Sequence, residues 1–212
     1  MNIRKLLVEM IGAFFLVLTI GQVVIGTKPT DGVIAPLAIG SVLMVMVYAG
    51  GPISGGHYNP AVTLAVWVRG KFPAANIIPY WFAQVLGAVL AGLLVVYLKG
   101  HSGSVEKDPD TIRSVIVEIL YTFALAYVVL NVATSKATAG NSYFGLAIGF
   151  TVLVGAFAVG SISGGAFNPA VAVGVGVMGL AKPAHIGALI GANLVGGLIA
   201  GLTFRFVHPD DV

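Results

Sequence analysis

The chain has 212 residues, 58% hydrophobic and only 9% charged, with 29 glycines and no cysteine, and its mean hydropathy is +0.99. That balance excludes a soluble globular domain and describes a polytopic protein whose partner is the lipid bilayer. Its formal net charge is +3, but the cations lie scattered at the ends of apolar segments, so no nucleic-acid partner is expected. Without cysteine there is no disulfide, no thiolate catalysis and no Cys-ligated metal.

Arg4 and Lys5 precede an apolar run that imitates a signal peptide, yet Glu9 interrupts it and the run continues to about Ile25. It reads as a retained span. Six segments approach the roughly 20 apolar residues needed to cross a bilayer: 4–25, 33–50, 76–98, 112–132, 142–160 and 184–206. Two further apolar pieces, 60–68 and 169–179, are half that length. Gly-rich loops feed them, and such backbone exists at membrane depth only within protein or beside a wet cavity, so these pieces read as re-entrant half-helices lining a pore. The polar connections are short: 27–32, 69–73, 99–111, 133–141, 182–183 and the tail from 208.

The two halves repeat at a constant offset of 109 residues. Glu9 maps onto Glu118, Phe14 onto Phe123, Ile53-Ser54-Gly55-Gly56 onto Ile162-Ser163-Gly164-Gly165, Asn59-Pro60-Ala61 onto Asn168-Pro169-Ala170, and Gln84 onto Asn193. An ungapped diagonal of this length indicates duplication. The expected architecture is one all-α membrane channel domain over 1–212, built of a repeat at 1–98 and an inverted repeat at 112–207. Three spans per half is an odd number, so the second half inserts upside down and the half-helices meet by their N-termini. Both chain termini then share one side, which carries six of the eleven Lys and Arg; the positive-inside rule makes it cytoplasmic.

An Asn at an N-cap accepts from first-turn N–H groups through its carbonyl oxygen, and Pro at the first helical position gives up an N–H that had no partner. The amide NH₂ groups of Asn59 and Asn168 would then be free donors facing the midplane. Two helix N-termini, each carrying about half a positive charge, would admit a neutral hydroxyl or water and oppose a cation.

The doubled Asn-Pro-Ala, the run Ser-Gly-Gly-His-Tyr-Asn-Pro-Ala-Val and a Glu in spans one and four make the chain resemble the major intrinsic protein family, the aquaporins and aquaglyceroporins. The resemblance implies a homotetramer in the plasma (inner) membrane, each protomer a passive pore for water or small uncharged solutes, with no cofactor and no enzymatic activity. It also implies that Glu9 and Glu118 brace the re-entrant loops. Most members place Arg after the second Asn-Pro-Ala, where this chain has Val171. By ungapped spacing the remaining constriction positions fall on Ile39, Ala156 and Gly165, a wide apolar ring that would admit glycerol, urea, ammonia or neutral metalloid hydroxides. His57 would line the vestibule beside the first motif. His101, His185 and His208 sit at segment ends without metal-like spacing. Small residues at Ala83/Gly87/Ala91, Gly187/Gly191 and Gly197/Gly201 would let helices cross closely within the protomer. The competing class is an ion-coupled secondary transporter, since inverted repeats with broken helices occur there too.

Overall fold

The computed structural model describes residues 2–26, 32–100 and 110–211. Most of the connections expected at 27–32 and 99–111, and His101 with them, lie outside the described residues. Eight α-helices follow in order: α1 (Ile3–Val24), α2 (Ile34–Ser54), α3 (Pro60–Val68), α4 (Ile77–Lys99), α5 (Thr111–Ala133), α6 (Phe144–Ser163), α7 (Pro169–Val177) and α8 (Pro183–Val207). All except α3 and α7 are long and apolar enough to cross a membrane. At nine residues each, α3 and α7 reach about 13 Å, less than half of a bilayer core.

Two span ends lie beyond the expected boundaries. Helix α2 continues through Gly50-Gly51-Pro52 to Ser54, and α6 runs to Ser163. Glycine and proline there read as breakers, but the true stop is the next glycine. Gly55 (φ 96°) and Gly164 (φ 89°) take left-handed conformations and donate back to Gly51 O and Gly160 O, an ending a β-carbon would strain. Gly50 lies within the helix against the Tyr58 side chain, and a Cβ there would clash with the phenolic oxygen.

Helix α1 packs chiefly on α4, α5 on α8, and α2 on α6, while α3 lies on α8 and α7 on α4. Each half-helix therefore rests on the last span of the opposite half. Gly87 and Gly196 occupy equivalent crossings: a Cβ on either would meet Met10 O at 2.3 Å or Ile119 O at 2.6 Å. Gly197 is pressed against Ala61 O in the same way. Gly187 and Gly191 differ from the expectation, because both are exposed and a Cβ added to either would meet no atom of another element within 4 Å among the described residues. They lie on the outer surface of the protomer, away from any crossing within it.

The C-terminal tail is fastened to the face on which α3 ends. Arg69, fully buried, donates to Thr134 Oγ1 (2.8 Å), Thr134 O (2.6 Å) and Asp211 O (2.8 Å) and lies over the Phe204 ring. Asp211 Oδ2 accepts from Ser135 Oγ (2.6 Å) and the Lys136 amide (2.9 Å). The Ser135 hydroxyl, chiefly, holds the Asp211 carboxyl below the usual carboxylate range.

Candidate solute pore

The site begins with two loops that carry no regular structure. Residues 55–59 and 164–168 run into α3 and α7, and at membrane depth their N–H groups must find protein partners. A glutamate on each half supplies them. Glu9 Oε1 accepts from Ser54 Oγ (2.7 Å) and the His57 amide (3.0 Å), and Oε2 from the Tyr58 amide (2.7 Å) and Gln84 Nε2 (2.7 Å). Glu118 repeats the pattern with Ser163 Oγ, the amides of Ala166 and Phe167, and Asn193 Nδ2, at 2.6–2.9 Å. Both carboxylates are fully buried. Satisfied on both oxygens, they are fixtures of the loops and not free charges in the path.

Among the described residues, Tyr58 (φ 49°) and Phe167 (φ 48°) are the non-glycine residues with positive φ. That left-handed turn, uncommon for an aromatic, aims each carbonyl at the opposite half-helix. Asn59 Nδ2 donates to Phe167 O (2.9 Å), and Asn168 Nδ2 donates to Tyr58 O (2.9 Å). The amides are therefore not wholly free: each spends one N–H joining the half-helices and keeps one for the pore. Their Oδ1 atoms accept from the amides of Ala61 and Val62, and of Ala170 and Val171.

Between the two caps lies a narrow cavity of about 20 Å³ available to water centres, enough for little more than one water. Its sixteen lining residues form eight pairs, each separated by the 109-residue offset. Five pairs match or nearly match: Leu16/Leu125, Ile39/Ile148, Gly56/Gly165, Asn59/Asn168 and Val62/Val171. Ile20/Val129 and Leu43/Val152 exchange aliphatic side chains, and His57/Ala166 is the pair that differs in chemistry. Vestibules of about 270 Å³ and 580 Å³ open on the two sides. Ala166 and Ile20 border the first, His57 and Val129 the second.

Of the positions expected at the constriction, Ile39, Gly165 and Val171 line the cavity. Ala156 does not. It lies half-buried one turn beyond Val152 on the same stripe of α6, but its methyl group is short of the cavity, and Ile148 and Val152 line it from that helix. Those two, with Leu16, Ile20, Leu43, Leu125 and Val129, were not anticipated; applying the offset to Ile39 would have found Ile148. His57 does stand at a vestibule. His185 lines the other one, buried, with neither ring nitrogen hydrogen-bonded.

A model of the major intrinsic protein family matches residues 1–204. The chain belongs to that family. It is 34% identical to glycerol uptake facilitator protein-like 6 of Lactiplantibacillus plantarum, covering 98% of this chain and all of that one. It is also 34% identical to the putative aquaporin NIP4-1 of Arabidopsis thaliana, covering 98% and 76% respectively. With aquaporin NIP1-1 of Zea mays it shares 38% identity over 81% of this chain, and spans 64% of that protein's length. The aquaglyceroporin of Plasmodium falciparum has the same fold, with a TM-score of 0.83 at 21% identity over 98% of this chain and 97% of that one. This major intrinsic protein is a passive channel for water and small solutes, not an enzyme. None of these relatives carries the name of an ion-coupled transporter.

Proposed function

We propose that the channel passes uncharged solutes up to about the size of glycerol as well as water, through the cavity between Asn59 and Asn168. The observation that carries this reading is Val171: with Ile39 and Gly165 it makes the wall facing the α6 C-terminus wholly apolar, where most family members place Arg. Without a guanidinium that wall is wider, and exclusion of cations falls to the two half-helix N-termini and the remaining Asn donors. The chain acts as one domain of two inverted halves, 1–98 and 112–207, with both termini in the cytoplasm and the protein in the plasma (inner) membrane. Four copies assemble into a homotetramer, and the exposed Gly187/Gly191 stripe offers a surface for close approach of a second copy.

Stopped-flow light scattering on proteoliposomes tests this reading with water, glycerol, urea and ammonia. The expected result is glycerol and urea flux well above that of empty vesicles, and a fall in the glycerol-to-water ratio in Val171→Arg. An unchanged ratio in that variant would remove Val171 from the constriction.

A further inference from the structure

The cavity's two doorways are built differently, although the chain repeats almost residue for residue around them. On the side facing the α6 C-terminus the doorway residue is Ala166, and residues 181 and 189 behind it are Ala and Leu. On the side of the chain termini the equivalents are His57, Phe72 and Tyr80. These three rings pack on one another as a cluster on one wall: His57 lies 5.2 Å from Phe72 and 5.5 Å from Tyr80, and the latter two are 4.7 Å apart. The consequence is visible in the backbone around them, since Gly56 and His57 are buried where Gly165 and Ala166 are only half-buried.

The imidazole is also oriented. Thr63 Oγ1 donates its single hydrogen to Asn59 O (3.1 Å) and accepts from Gln84 Nε2 (3.0 Å). It therefore accepts from His57 Nδ1–H at 3.1 Å, which leaves Nε2 as an acceptor. Thr63 has no counterpart in the other half, where the offset position is Ala172. A solute entering from the termini side thus meets a fixed acceptor, then the Asn donors, then the aliphatic wall at Val171 and Ala166, with His185 in the vestibule beyond.

We infer that solute selection in this channel resides at the termini-side doorway, with His57 as the specificity-determining residue and Phe72 and Tyr80 packed behind its ring. This rests on the pore reading above. His57 is the chemically distinct member of the eight pairs: within the cavity itself the offset position is Ala166, and Val171 adds no side-chain donor or acceptor there. His57 accepts from a water or solute hydroxyl, and the two rings hold the imidazole in place.

The test uses five purified proteins in liposomes: the natural chain, His57→Ala, Ala166→His, the double exchange and Phe72→Ala. The readout is the ratio of glycerol to water permeability. His57→Ala should raise that ratio by roughly tenfold, the order that a small change of fit contributes to discrimination. The double exchange, which moves the imidazole to the other doorway, should bring it back towards the natural value. Phe72→Ala removes a ring that packs on His57 and so frees the imidazole without changing the loop itself, so it decides the matter even where His57→Ala is poorly folded, and it should also raise the ratio. An unchanged ratio in well-folded, water-permeable His57→Ala or Phe72→Ala would overturn the inference while leaving the pore intact. Natural-chain liposomes no more permeable to water than empty ones would overturn the pore reading and this one with it.

Discussion

The two re-entrant loops agree where backbone must be satisfied and diverge where solute passes. Glu9 and Glu118 accept from equivalent groups, and Asn59 and Asn168 cap equivalent helices and cross-link to each other's loop. Yet at the offset positions His57 is matched by Ala166, Phe72 by Ala181, and Arg69, which clasps the C-terminal tail, by Met178. An unpaired N–H in a membrane interior costs about 1–3 kcal/mol at least, so the bracing tolerates little drift. A side chain at a doorway costs the fold far less to change and alters what is carried. Duplication therefore preserves the frame and leaves the mouths free to specialise.

The largest expected effect comes from breaking the shared frame. Replacing Glu9 by Ala strips partners from two loop amides, Ser54 and Gln84, and Glu118→Ala does the equivalent on the other half. Each should lower stability by about 3 kcal/mol or more, read as loss of monodisperse protein and of Tm in detergent. Comparable losses would support equal bracing; a mild loss on one side would break the equivalence.

Next come the crossings. Gly87→Ala and Gly196→Ala force a Cβ into backbone carbonyls and should each destabilise by about 1–3 kcal/mol. Gly187→Ala meets nothing in the protomer. It should leave the thermal stability of a dissociated protomer unchanged, and a large loss there would place an unseen contact at that glycine.

Arg69→Met makes the first half like the second and should release the tail, at a cost of about 1–2 kcal/mol for its lost hydrogen bonds. Faster clipping of the C-terminus by carboxypeptidase would report it. A tail that stays protected would mean that Ser135 and Lys136 hold it alone.

The smallest effect is one of pH. The folded Asp211 carboxyl lies below its unfolded value of about 3.9, chiefly through Ser135. Its contribution is complete above that value and fades as pH falls through the lower folded value. Asp211→Asn should flatten the acid side of the stability curve, and an identical acid limb in the variant would dismiss the contact as a source of stability.

Hydropathy and length were enough to find six spans and two half-helices, because a bilayer demands about 20 apolar residues per crossing and admits loops only under protein. The doubled Asn-Pro-Ala located Asn59 and Asn168, and the family resemblance located Ile39, Gly165 and Val171, all of which line the cavity; the aliphatic residues between them carried no signal of their own. Ala156 lies outside because spacing along a helix places a residue on a stripe without measuring how far its side chain reaches. Gly187 and Gly191 were misread because a four-residue step of small residues marks a close approach but not its partner. Nothing local distinguishes a glycine pressed on Met10 O from one facing outward.

What the sequence by itself determined is therefore a matter of period and composition: membrane residence, duplication, the capped half-helices and their buried acids. Only the tertiary structure decided which N–H each Glu and Asn holds, that the Asn amides join the two halves, and that an aromatic cluster backs one doorway and not the other. Those depend on residues far apart in the chain, such as His57 with Tyr80 and Asn59 with Phe167. Their meeting is set by helix packing, which no local pattern encodes.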